Sequence, residues 1–253
     1  MTQKTVMITG ATSGFGRACA ERFARAGWKL ILNGRRVERL QQCKQELEER
    51  YQAAVFLLPF DVQEKEQVEQ AISQLPTNWL GVDVLVSNAG LALGRDAFEE
   101  ADMADWETMI NTNVKGLLYV SRSVLPLMIR RRQGQIINIG STAAKEVYEK
   151  GNVYCATKAA VDSISKAMRI DLLRHRIKVT AIHPGAAETE FSMVRFKGDT
   201  AKADAVYEGY VPLSADDVAE VVYYTTTLPE HVCINDLVLT CTAQASSFYT
   251  WKG

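Results

Sequence analysis

The sequence predicts an α/β fold in one domain: a doubly wound, seven-stranded parallel sheet with helices on both faces. Three observations predict it. Strand-sized apolar runs alternate with amphipathic helical periods from end to end, as in a parallel sheet covered on both sides. A glycine-rich turn lies between the first strand and the first helix, where a Rossmann-type fold binds phosphate. No Ser/Gly/Pro-rich linker, repeat or low-complexity segment divides residues 1–253.

The first strand, Thr5–Thr9, starts almost at once, so no signal peptide is expected. It feeds the amphipathic stretch Gly14–Ala26, and Lys29–Asn33 then feeds Val37–Arg50. The third and fourth strands, Ala54–Phe60 and Val82–Ser87, flank a helix over Glu64–Leu75. A long helix over Asp105–Arg131 leads to a strand at Gln135–Ile139, and a helix over Val153–His175 leads to Lys178–His183. A helix over Ala215–Leu228 and a strand over Asp236–Thr240 close the series. The break is Gly185–Pro212, an irregular charged and apolar stretch. Within a compact domain such a length reads as a lid, placed at 186–212. Ligands of such sheets bind at the carboxyl ends of the strands.

Composition narrows the function. A formal net charge of −1, with 47% hydrophobic and 23% charged residues, offers no basic field for nucleic acid or an anionic membrane. The longest apolar runs are strand-sized, too short to span a bilayer. The cysteines Cys19, Cys43, Cys155, Cys233 and Cys241 are scattered, and the three histidines are isolated. The expectation is a cytoplasmic protein without a metal site.

The run Thr9-Gly10-Ala11-Thr12-Ser13-Gly14-Phe15-Gly16 has the composition of a pyrophosphate cradle. Its glycines allow a tight turn and close backbone approach, and the helix that follows offers free N–H groups. At the end of the second strand, where a carboxylate would hold the ribose 2′-hydroxyl of NAD, stand Arg35 and Arg36. Two guanidiniums suit an adenosine 2′-phosphate, so the expected cofactor is NADP(H). Tyr154 and Lys158 lie four apart on a helix, hence on nearly one face. A nearby ammonium favours phenolate and would prepare the tyrosine for proton transfer.

With Asp61-Val62 after the third strand, Asn88-Ala89-Gly90 after the fourth, Asn113, Ser141 and Pro184-Gly185, these motifs resemble the short-chain dehydrogenase/reductase family over essentially the whole chain. The resemblance implies that Asp61 and Val62 contact adenine and that Asn88, Ala89 and Gly90 lie along its ribose. It places Lys158 on the nicotinamide ribose, and Pro184, Gly185 and Thr189 beside the carboxamide. Tyr154 is then the proton donor to a substrate oxygen, and Ser141 donates a hydrogen bond to the same atom. Lys158 lowers the phenol's pKa, and Asn113 holds a water linking Lys158 to solvent. Ser87 departs from the family's usual asparagine.

The segment 187–199, with Leu91–Gly94 and Asn152–Tyr154, resembles the branch acting on small 3-hydroxy acids such as serine and allo-threonine, which includes sulfoacetaldehyde reductases. Arg195 is the natural anion receptor, with Tyr148 and Asn152 as further substrate contacts. The wall 143–150 lacks the Trp-Pro-Tyr-like element of the hydroxy-acid members and keeps only Tyr148. Reduction of sulfoacetaldehyde to isethionate is therefore the first expectation. A 3-hydroxy acid dehydrogenase is the alternative, and a non-catalytic NADP sensor the minor one. The aromatic tail, 243–253, is expected to pack on its own subunit or at a homo-oligomer interface, in a tetramer or a dimer.

Overall fold

The computed structural model describes residues 3–252; Met1, Thr2 and Gly253, at the ends of the expected domain and tail, lie outside the described residues. Seven strands form one parallel sheet: β1 (Thr5–Ile8), β2 (Lys29–Gly34), β3 (Val55–Pro59), β4 (Val82–Ser87), β5 (Gly134–Ile139), β6 (Ile177–Pro184) and β7 (Asp236–Leu239). Their order is β3-β2-β1-β4-β5-β6-β7. The order reverses between β1 and β4, which opens a crevice at their carboxyl ends.

The two-residue period of the strands divides the core. Val6, Ile8, Leu30, Leu32, Val84 and Val86 face one side, against α1 (Gly14–Arg25), α2 (Val37–Tyr51) and α9 (Ala215–Thr227). Met7, Ile31, Leu85, Ile136 and Val179 face the other, against α3 (Lys65–Ser73), α5 (Leu117–Arg131) and α6 (Asn152–Leu172). Both faces are dry, which is why these strands read as unbroken apolar runs.

Two segments differ from the sequence expectation. The long helix over 105–131 is α4 (Met103–Ile110), a π-helical stretch (Asn111–Gly116) and then α5. Gly116 packs so closely on Val62 that a side chain there would collide with it. Asn113 is drawn into hydrogen bonds with Leu91 and Thr157. These tertiary contacts widen the turn, and no periodicity encodes them. The irregular 185–212 stretch contains two short helices, α7 (Glu190–Arg195) and α8 (Thr200–Ala205), capped by Thr189 and Asp199. Among the described residues no helix is long and apolar enough to cross a membrane.

Candidate active site

A cavity of about 790 Å³ runs along the carboxyl ends of the strands. At one end lie Arg35 and Arg36, in the middle Ser141, Tyr154 and Lys158, and at the other the lid.

The cofactor half is built by the β1–α1 turn. Gly10 and Gly14 adopt left-handed backbone angles (φ 66° and 49°), open to glycine without strain. A side chain on Gly16 would collide with the Gly10 carbonyl, so Gly16 brings α1 against the turn and does not itself line the cavity. Ser13 stands at the N-cap of α1, but its side chain does not cap the helix and the first turn holds no acid. The leading N–H groups therefore face the cavity beside Thr12 and Phe15. Arg36 donates to Thr12 Oγ1 at 2.9 Å and Ser13 Oγ at 3.0 Å, while Arg35 pairs with Asp61 at 3.1 Å. Asn88 fastens β4 to β1: its amide donates to the carbonyls of Thr9 (2.9 Å) and Gly10 (3.2 Å). Val62, Ala89, Gly90, Pro184, Gly185 and Thr189 complete this lining. A glycine cradle, a free helix N-terminus and two guanidiniums at the far wall fit a dinucleotide that carries a 2′-phosphate.

Ser141 follows β5 and begins a short 3₁₀ turn, Thr142–Ala144. Its Oγ accepts the Ala143 N–H at 3.1 Å, which leaves the hydroxyl proton free to be donated. Tyr154 and Lys158 project from α6, and both are buried. Lys158 Nζ donates to the Ile139 carbonyl at 2.9 Å and lies 6.0 Å from the centre of the Tyr154 ring. Burial pushes the phenol of Tyr154 upward and the Tyr148 phenol adds to this, against a Ser141 hydrogen bond and Arg195. Burial also brings Lys158 down to about 8. The expected effect of Lys158 on the phenol is therefore not dominant in this geometry: the ammonium is turned to a backbone carbonyl, and desolvation outweighs it. The phenol keeps its proton across the neutral range.

Asn113 lies behind this pair and does not line the cavity. Its Oδ1 accepts the Leu91 N–H (2.8 Å), and its Nδ2 donates to the Leu91 carbonyl (2.8 Å) and Thr157 Oγ1 (3.0 Å). Thr157 in turn donates to the Tyr154 carbonyl at 2.8 Å, so Asn113 braces the turn of α6 that carries the tyrosine.

The other half of the cavity is bounded by the 186–212 segment. Arg195 Nη1 donates to the Tyr148 hydroxyl at 2.9 Å, and the guanidinium carbon lies 5.6 Å from the centre of the Tyr154 ring. The end of α7 and the loop after β4 are tied in both directions: Gly94 N–H to the Arg195 carbonyl (3.0 Å), and Arg195 Nε to the Gly94 carbonyl (3.3 Å). Phe191 packs on Tyr154 with ring centres 5.6 Å apart. Asn152 is not part of this wall. As the first residue of α6 it donates to the Asp96 carbonyl at 3.3 Å and accepts from Val153 N–H at 2.6 Å. Among the cavity residues that sequence reasoning missed, three are charged or amide side chains with named partners. Arg95 lines it near Tyr148; Glu190, at the start of α7, pairs with Arg36 and Arg39; Gln244, from the tail, accepts the Ala186 N–H at 2.8 Å. Only Arg95 carried a signal, as a lone arginine beside Leu91–Gly94. The tail folds back on its own chain, and Ser247, Phe248, Thr250 and Lys252 line the cavity, with the rings of Phe248, Tyr249 and Trp251 largely exposed.

A family model described as short chain dehydrogenase matches residues 4–200. The chain belongs to the short chain dehydrogenase family. This dehydrogenase is 48% identical over 233 residues to the NADP-dependent 3-hydroxy acid dehydrogenase YdfG of Escherichia coli K12, covering 92% of each chain. It is also 48% identical over 245 residues to sulfoacetaldehyde reductase 2 of Chromohalobacter salexigens, covering 96% of each. Among solved structures it is similar to the closed form of a serine dehydrogenase complexed with NADP+, at a TM-score of 0.92 and 46% identity over 98% of both chains. As a member of this family the protein is an oxidoreductase acting on CH–OH groups.

Proposed function

We propose that this dehydrogenase reduces a small anionic aldehyde, sulfoacetaldehyde to isethionate, with Tyr154 as proton donor. The cofactor is NADP(H), which supplies the hydride when bound. The observation that carries the substrate reading is the anion pocket opposite Tyr154: Arg195 bonded to the Tyr148 hydroxyl at 2.9 Å, with the Arg95 guanidinium 6.0 Å from the same tyrosine ring. A sulfonate has three oxygens, and two guanidiniums with a phenol between them offer donors to all three. The carbonyl carbon of a two-carbon aldehyde would then lie near Tyr154 and Ser141. Tyr154 gives its proton to the oxygen as negative charge develops there, and the Ser141 hydroxyl donates to the same oxygen.

A 3-hydroxy acid dehydrogenase acting on serine, allo-threonine or 3-hydroxypropionate is the second reading. It is supported by the equal identity to YdfG and by the likeness to the serine dehydrogenase structure. Steady-state assays with sulfoacetaldehyde, serine and 3-hydroxypropionate separate the two. A kcat/KM for sulfoacetaldehyde below that for either hydroxy acid would overturn the first reading.

Two further outcomes are expected. Arg36→Ala removes charge-assisted hydrogen bonds to a 2′-phosphate, worth about 1.5–3 kcal/mol. The NADPH-to-NADH ratio of kcat/KM should fall by about 10- to 100-fold, and an unchanged ratio would refute the assignment of Arg36. Lys158 is charged below its pKa of about 8 and neutral above it, because burial disfavours the ammonium. Its hold on the nicotinamide ribose is thus lost as pH rises, so kcat/KM for NADPH should decline above about pH 8. Lys158→Arg should remove that limb, and a flat wild-type profile well into the alkaline range would count against it.

A further inference from the structure

The turn that begins at Ser141 is anchored by a charge cluster that neither the cofactor half nor the substrate half uses. Lys145, directly after the turn, spans two carboxylates. Its Nζ is 3.0 Å from Asp162 Oδ1 on α6 and 2.7 Å from Asp236 Oδ2 at the start of β7. Lys166 covers the other oxygen of Asp162 at 2.7 Å. His183, fully buried on β6, brings Nδ1 to 3.2 Å from the Ser141 carbonyl. Its Nε2 lies 3.5 Å from the same two carboxylate oxygens that Lys145 holds, and makes no hydrogen bond. The imidazole lies against Gly140, where any side chain would collide with the ring.

The proton on His183 follows from these partners. The Ser141 carbonyl only accepts, so Nδ1 carries the hydrogen and donates. In the neutral ring the Nε2 lone pair then faces two carboxylates, an arrangement that is repulsive unless a cation lies between. Asp162, His183 and Asp236 are metal-ligating residue types brought together, yet the Lys145 ammonium already bonds the two oxygens a metal would need. The cluster thus has a cation built into the chain. It balances two carboxylates against Lys145 and Lys166 around a neutral imidazole.

We propose that Lys145 and His183 are positioning residues for Ser141. Lys145 ties the far end of the serine turn to α6 and β7, and His183 holds the carbonyl at its near end, so that Oγ is fixed toward Tyr154. This inference rests on the reading of Ser141 as hydrogen-bond donor to the reacting oxygen. Burial keeps the His183 pKa below its ordinary value and Lys145 adds to this, while Asp236 and Asp162 oppose it. Burial would also raise Asp162, but Lys166 and Lys145 outweigh it and bring it down to about 2.

The test is Lys145→Met, which keeps much of the stem and removes the charge, beside Lys145→Arg and Ser141→Ala. A loosened donor should lower kcat of Lys145→Met by about 10- to 100-fold, with KM for NADPH within about twofold, as the cofactor cradle is not in the cluster. Lys145→Arg, whose fork reaches both carboxylates, should recover most of the loss. With only His175, His183 and His231 in the chain, each can be followed by NMR titration. In Lys145→Met the His183 pKa should rise, because the two carboxylates stay and the ammonium is gone. A Lys145→Met enzyme with near wild-type kcat, or a His183 pKa that does not move, would overturn the proposal if Ser141→Ala has lost turnover. Retained turnover in Ser141→Ala would instead overturn the reading beneath it. NADPH binding by each variant verifies folding, and Lys145→Gln, with the same expected loss of kcat and rise of the His183 pKa, carries the test if the Met variant does not fold.

Discussion

Replacing Tyr154 by phenylalanine is expected to lower kcat by about 10³- to 10⁴-fold while leaving NADPH affinity nearly unchanged. The ring is buried and packs against Phe191 with centres 5.6 Å apart, so removing only the hydroxyl preserves the packing. What is lost is the proton donor of the proposed reaction. Burial keeps the Tyr154 phenol protonated, so at neutral pH it is ready to give its proton to a developing alkoxide. No other acid takes over: Ser141 is a poor one, and Lys158 is directed to the Ile139 carbonyl. Fluorescence titration with NADPH and steady-state turnover check the two halves of this expectation. Turnover within about tenfold of wild type would remove Tyr154 from the mechanism.

Replacing Arg195 by methionine is expected to lower kcat/KM for the anionic substrate by about 30- to 150-fold, from the loss of about 2–3 kcal/mol of charge-assisted hydrogen bonding. A neutral aldehyde of the same size should lose little. The arginine bonds the Tyr148 hydroxyl and the Gly94 carbonyl, so it is held in place before substrate arrives. Lysine at this position keeps the charge but not the fork, and should restore only part of the loss. If the neutral and anionic substrates lose equally, Arg195 serves lid closure and not anion recognition. That outcome is physically distinct, because the same side chain also ties α7 to the loop after β4.

The phosphate turn was legible because its physics is local. Gly10, Gly14 and Gly16 are required by backbone angle and close approach, and both leave a mark in the residue types themselves. Tyr154 and Lys158 were legible through helical spacing, and Ser141 through its place after a strand. Asn113 was named from the sequence, but its surroundings were not. The π-helical stretch around it arises from Leu91, Thr157 and Val62, all distant in sequence. Arg95, Glu190 and Gln244 come from coil or short lid segments, where neither period nor capping pattern singles out a residue. Asn152 misled for the same reason: its place beside Tyr154 in sequence suggested the pocket, yet at the first turn of α6 its amide points to the Asp96 carbonyl.

By itself the sequence determined the layered fold, the strand-end motifs and the pairing of Tyr154 with Lys158 on one helix, because alternation, glycine and helical spacing act over a few residues. Tertiary structure alone decided how far burial shifts Tyr154 and Lys158 and which arginines share a wall with Tyr148. It also decided that Lys145, Asp162, His183 and Asp236 meet behind Ser141. Desolvation and charge pairing depend on distance through space, and four segments far apart in the chain have no pattern that announces their meeting.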